Sequence, residues 1–196
     1  HDAYAGDYDR QCDEYGCYIA DLVFGLSYQQ VVPGQVLLDI GIGTGLSAAP
    51  FARAGLQVHG MDFSEDMLAI CERKRIAESL IRHDLQVMPW PVEPGQFDWV
   101  ISVGVFHFIP NLEAIFHQVR EALRLGGAFA FTTKLPRAAL LPGQRWQQET
   151  TGGFEIISHS AAVIESWLGT EKLSIQKAQD VLVGEERFRI WITRAD

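Results

Sequence analysis

Residues 36–45 read Val-Leu-Leu-Asp-Ile-Gly-Ile-Gly-Thr-Gly, an apolar run that ends in an acid and passes straight into three alternating glycines. The run suits a strand buried on both faces, and such strands belong to mostly parallel sheets covered by helices. Glycine takes up left-handed backbone freely and lets other groups come close, so the strand must open into a tight loop. A helix expected from about Leu46 then aims its unpaired N–H groups at whatever the loop holds.

Strand and helix patterns alternate along the rest of the chain. An N-terminal helix is expected over Arg10–Tyr28, with Tyr18, Ile19, Leu22, Val23 and Leu26 on one face, broken at Pro33-Gly34. Strands follow at Val36–Ile40, Gln57–Met61, Ser79–His83, Phe97–Val103 and Ala128–Thr133, with two more near Lys172–Val183 and Arg187–Thr193. Gly55 ends the helix after the glycine loop. Ser64 caps the next, and the Glu72-Arg73-Lys74-Arg75 run near its end reads as a solvated helix terminus. Asn111 opens a helix carrying Leu112, Ile115, Phe116, Val119 and Leu123, closed by Gly126-Gly127, and a short helix covers Ser160–Leu168.

In the final strand Phe188, Ile190 and Ile192 alternate with Arg187, Arg189 and Trp191, which implies one wet face. Lys134–Phe154 shows no periodicity and reads as a long binding loop. Together these elements imply an α/β fold: a doubly wound, mostly parallel seven-stranded sheet with helices on both faces and an antiparallel C-terminal hairpin, Rossmann-like in plan. We expect one domain over residues 1–196, with 1–30 as a helical cap and 134–158 as a substrate loop.

Composition narrows the partners. A formal net charge of −9 disfavours nucleic acid and anionic membrane, both of which need a basic face. No stretch approaches the ~20 apolar residues of a membrane helix, and no secretory leader is legible. Cys12, Cys17 and Cys71 lack a second Cys/His pair at metal-ligand spacing, so reduced thiols, a cytoplasmic setting and no metal site are expected.

Two ligand classes compete for the glycine loop. Dinucleotides favour G-x-G-x-x-G, but after Gly41, Gly43 and Gly45 the last position of that pattern is Leu46. A dinucleotide-dependent oxidoreductase is therefore the weaker reading. Asp39 stands before the glycines, Asp62 ends the second strand where an acid can accept two ribose hydroxyls, and Asp84 follows the third strand. Three carboxylates at one sheet edge repel pyrophosphate and favour a cationic, amine-bearing ligand. Asp39 is equally suited to bracing the glycine turn, and Phe63 and Met67 to ordinary core packing.

On these residues the chain resembles the class I S-adenosylmethionine-dependent methyltransferases. The matching pieces are Asp39-Ile-Gly-Ile-Gly-Thr-Gly45, Asp62-Phe-Ser-Glu-Asp-Met67, Asp84 and Leu125-Gly-Gly127, within roughly Tyr4 to Lys134. The resemblance implies S-adenosyl-L-methionine as cofactor, with the glycine loop against its methionine part. It further implies Asp62 on the ribose, Asp84 on the adenine amine, and Phe63, Met67 and Leu85 around the base. Ser102 joins the cofactor set, as does Tyr4, which with Tyr8 and Tyr15 offers ring faces to a sulfonium. His107, after the fourth strand, is the candidate general base, with a structural role as its alternative; His159 is a second candidate, and Thr132, Thr133 and Lys134 end the fifth strand near the expected acceptor.

No Asn-Pro-Pro-Tyr segment and no cysteine after a proline follow the fourth strand, which leaves a small molecule as the expected acceptor. A regulator that binds the cofactor without catalysis is the remaining alternative.

Overall fold

A computed structural model describes residues 7–196 of the chain. Tyr4 lies outside the described residues. The expected N-terminal helix is two helices, α1 (Tyr8–Glu14) and α2 (Ile19–Ser27). Gly16, at φ +62°, ends the first, because glycine alone enters the left-handed region without steric cost. The face that α2 buries is Ile19, Val23 and Ser27, whereas Tyr18 and Leu22 point to solvent.

Next come β1 (Val36–Ile40), α3 (Ala49–Arg53), β2 (Gln57–Asp62), α4 (Glu65–Lys74), β3 (Ser79–Arg82), β4 (Phe97–Ser102), α5 (Glu113–Ala122) and β5 (Leu123–Lys134). A hairpin of β6 (Trp146–Thr151) and β7 (Phe154–His159), then α6 (Ala161–Thr170), β8 (Leu173–Val183) and β9 (Glu186–Ala195), complete the chain. Among the described residues seven strands form one sheet, ordered β3-β2-β1-β4-β5-β9-β8. The first five run parallel to one another, while β9 runs antiparallel to both β5 and β8. This is the expected doubly wound sheet with its closing hairpin.

Alternating side chains feed two cores. Leu38, Val100, Phe129, Phe131 and Trp191 point to the face covered by α5 and α6. Leu37, Ile101, Ala130, Ile190 and Ile192 point to the face covered by α2, α3 and α4. Trp191 is fully buried, stacks on Phe131 and donates its Nε1–H to Thr133 Oγ1 at 2.9 Å, so the expected wet face of the last strand is dry. The helices α5 and α6 need that face; Arg187, nearer the turn, stays exposed, as does much of the edge strand β8.

Lys134–Phe154 is not structureless. Its second half pairs as β6 with β7, and Gly152 and Gly153, at φ +59° and +83°, supply the two positive dihedrals of a tight hairpin turn. The strand β5 also starts earlier than expected: Leu123 pairs with Phe97 directly after α5, and the ladder resumes at Ala128 beyond the glycines. Among the described residues no helix is long and apolar enough to cross a membrane.

Candidate active site

The carboxyl ends of the parallel strands open into a cavity of about 470 Å³. Its floor is the glycine loop, in which Gly41, Gly43 and Gly45 all have positive φ (+77°, +53° and +88°). They differ in what they face. A Cβ on Gly41 would stand 2.4 Å from Val105 Cγ2, and one on Gly45 2.8 Å from Ile76 Cδ1. A Cβ on Gly43 would meet nothing within 4 Å among the described residues, and Gly43 lines the cavity. Gly41 and Gly45 thus pack against neighbouring side chains, Gly41 also bordering the cavity, and Gly43 presents bare backbone. The helix beyond starts at Ala49 rather than Leu46 and has only five residues, because the loop first closes through bonds from Gly45 N to Ile42 O and from Ala49 N to Gly45 O.

Asp62 and Asp84 both line the cavity. Asp62, nearly buried, accepts the Gly43 N–H at 2.8 Å with one oxygen and the Ser64 N–H at 2.9 Å with the other. Asp84 is exposed at the rim and accepts the Gln86 N–H at 2.9 Å. Phe63, more than half exposed, and the buried Met67 and Leu85 line the same cavity.

The third acid does not join them. Asp39 is wholly buried behind the loop, where the Ser47 hydroxyl donates to its Oδ2 at 2.6 Å; its Oδ1 has no hydrogen-bond partner among the described residues. Burial lifts its carboxyl to about 7 against the pull of Ser47, and the charge on Asp62 adds to the rise. Gly45 and Ser102 also stay outside the cavity lining. Ser102 is buried and donates to Ile40 O at 2.9 Å. An acid or hydroxyl on the strand's inner register faces the core rather than the cleft, and spacing along the sequence does not distinguish the two.

A clamp absent from the sequence reading closes the cap on the loop. Thr44 Oγ1 donates to Asp9 Oδ1 at 2.5 Å, while Lys74 forms an ion pair with Asp9 and donates to Thr44 O at 2.9 Å. Lys74 is therefore a tie between α4, the loop and α1, not merely a solvated helix end. Its neighbours Arg73 and Arg75 are exposed as expected. From the cap, Tyr8, Cys12 and Cys17 line the cavity; Tyr15 is exposed and does not.

The opposite end is apolar. Val103, Val105, Phe108, Ile109, Val183 and Phe188 line the cavity with His107, whose ring lies 4.1 Å from that of Phe108 and 5.8 Å, edge-on, from that of Phe188. Burial brings the His107 pKa down to about 4, helped by the Lys134 ammonium and by His159. Lys134 is itself buried and paired with Glu186 at 3.1 Å. Thr132 and Thr133 are buried as well, accepting from Gly104 N and Trp191 Nε1, so the end of β5 supports the cavity without lining it.

His159 is fully buried and donates Nε2–H to Ile109 O at 3.0 Å and Pro110 O at 3.1 Å, a strut rather than a cavity group. No residue of 134–158 lines the cavity among the described residues; Phe154 instead touches Phe108 from behind.

Residues 38–131, from β1 into β5, match the family model of a methyltransferase domain. Over 191 residues the chain is 27% identical to the fatty-acid O-methyltransferase of Mycolicibacterium smegmatis, covering 94% of this chain and 68% of that one. The matched core, residues 38–131, is a methyltransferase domain. The chain is also 36% identical, over 51% of its length and 24% of the other's, to phosphoethanolamine N-methyltransferase 2 of Caenorhabditis elegans. It spans less than half the length of most curated relatives it matches. Its fold is shared with magnesium protoporphyrin IX methyltransferase of Synechocystis, solved with bound S-adenosylmethionine, at a TM-score of 0.70 and 21% identity over 91% of this chain and 78% of that one.

Proposed function

We propose that this methyltransferase holds S-adenosylmethionine between the glycine loop and Asp84 and passes its methyl group to a small organic acceptor seated toward Phe108 and Phe188. The observation that carries this reading is the continuity of one cavity, acidic and bare-backboned at one end, apolar around a single neutral imidazole at the other. The residues fit the cofactor. Gly43 leaves room for an extended chain against the loop, the Asp62 carboxylate stands where ribose hydroxyls can donate to it, and Asp84 has a second oxygen for an exocyclic amine. Phe63, Met67 and Leu85 form an apolar slot for a flat base.

When bound, the cofactor supplies an electrophilic methyl group on a sulfonium. The protein's part is alignment and exclusion of water, since an in-line displacement asks for little covalent help. His107 is neutral at pH 7 and is a weak base at a pKa of about 4. It suits orienting an acceptor O–H or N–H better than fully removing its proton. Asp39 and Ser102 hold the loop and the β1–β4 junction from behind. The apolar end, and the likeness to a fatty-acid O-methyltransferase, support an acceptor with an apolar body.

Titration calorimetry with S-adenosylmethionine, S-adenosylhomocysteine and NAD tests the cofactor half. Heat from the two adenosyl-sulfur compounds alone is expected; heat from NAD alone would reject the reading. S-adenosylhomocysteine formation across hydroxyl, carboxyl and amine acceptors then tests catalysis against mere binding.

A further inference from the structure

The turn between α1 and α2 carries chemistry that methyl transfer leaves unused. Gly16 is left-handed, Cys17 N donates to Cys12 O at 2.9 Å, and Gly16 N donates to Asp13 O at 3.1 Å. These crossed bonds form a Schellman cap, which brings the residue three from the helix end against the second residue beyond the cap. That contact is ordinarily made by two apolar side chains. Here both are cysteines.

Both thiols are free and half-buried, each perturbs the ionisation of the other, and both line the cavity beside Tyr8. Cys71, the third thiol, is fully buried beneath Gly45. The helix α1 has no buried residue of its own. It is held at the Asp9 clamp and at this turn.

We propose that Cys12 and Cys17 are a redox-modification site, oxidised by a hydroperoxide to a disulfide that stiffens the Gly16 turn and keeps α1 over the cavity. Cys17 is the attacking sulfur: the neighbouring Cys12 thiol and the Ile19 backbone N–H favour its thiolate, while the nearness of Cys17 and burial hold Cys12 protonated. The thiolate attacks one peroxide oxygen and the O–O bond breaks. The second oxygen leaves as hydroxide and takes up a proton, and Cys17 becomes a sulfenic acid. The Cys12 sulfur then attacks the sulfenic sulfur, the S–S bond forms, and the departing hydroxide takes the Cys12 proton. Two thiols and one hydrogen peroxide give one disulfide and two waters.

The consequence for catalysis rests on the cavity being the cofactor site, whereas the disulfide itself does not. The test exposes the whole protein to one equivalent of hydrogen peroxide, blocks remaining thiols with iodoacetamide and digests it with trypsin. The peptide Gln11–Arg53 holds both cysteines and is expected two hydrogens lighter and unlabelled. The Cys12→Ser and Cys17→Ser variants should instead give labelled or over-oxidised peptides.

Amide hydrogen exchange across residues 8–17 should slow several-fold in the oxidised protein. Two labelled cysteines after treatment, a disulfide joining two chains, or unchanged exchange in α1 would each overturn the proposal. If the disulfide forms and α1 stiffens, S-adenosylhomocysteine should leave the oxidised protein more slowly. Failure of either redox form to bind that compound would count against the cavity reading alone.

Discussion

Asp62 Oδ2 accepts the backbone N–H of Gly43 at 2.8 Å, tying the acid at the end of β2 to the one loop glycine whose open side faces the cavity. A ligand that reaches this carboxylate therefore meets a loop already fixed in place. Removing the side chain costs both the ligand contact and the fixing bond. For Asp62→Ala the loss of a bond to a charged acceptor, roughly 1.5–3 kcal/mol, implies at least tenfold weaker cofactor binding. Thermal unfolding should drop by roughly 3–10 °C with the fold retained. Calorimetry and a melting curve on one preparation check both.

Gly43 and Gly41 separate ligand contact from packing. Gly43→Ala puts a methyl group into open cavity at a cost of about 1–2 kcal/mol for the left-handed backbone, so a folded protein that no longer binds cofactor is expected. Gly41→Ala drives its methyl group against Val105 and should give little folded protein. Circular dichroism beside binding isotherms distinguishes the two outcomes.

Asp9 joins Thr44 and Lys74, so Asp9→Ala should free α1 while leaving the sheet intact. The pair is partly solvent-exposed, which limits the stability change to about 1 kcal/mol. The larger effect is expected in hydrogen exchange, faster across residues 8–17 and unchanged in β1 and β4.

The burial of Asp39 sets a pH dependence of defined sign. Its carboxyl is raised from 3.8 to about 7 in the folded state, so the folded protein binds the extra proton. The stability that this group contributes is complete below pH 3.8, declines as pH rises toward 7 and is gone above it. At about 1.4 kcal/mol per pKa unit the full effect is a few kcal/mol. Asp39→Asn keeps the Ser47 hydrogen bond and cannot ionise. Its stability relative to the wild type should therefore grow from about pH 4 to 7 and level off beyond, as read by urea midpoints.

His107 is neutral across the physiological range. We expect His107→Ala to slow turnover no more than about 100-fold, with cofactor affinity unchanged. A loss beyond about 1,000-fold would make it the base after all.

Much of this was legible in the chain. β1 and β2 run from Val36 and Gln57 as read, because continuous apolar runs closed by an acid leave little freedom in register. Ser64 caps α4 through Met67 N as its spacing implied. Local patterns failed where distant contacts decide. Asp39 and Asp62 are both strand-end acids, yet one turns into the core and the other into the cleft. Asp9 was passed over because its partners lie 35 and 65 residues away, at Thr44 and Lys74.

Val183 and Phe188 reach the cavity only because the terminal hairpin lies beside β5. The β6–β7 hairpin was missed for a different reason. Its first strand is polar and half-exposed and the second has adjacent isoleucines, so apolar alternation is faint and only Gly152-Gly153 marked the turn.

The most direct measurement is a crystal structure with S-adenosylhomocysteine. Density is expected in the cavity with ribose hydroxyls on Asp62, the base between Phe63 and Leu85 near Asp84, the amino-acid end along Gly43, and sulfur facing His107. Nucleoside density elsewhere, or a ligand lying apart from the Asp62 carboxylate, would contradict the assignment.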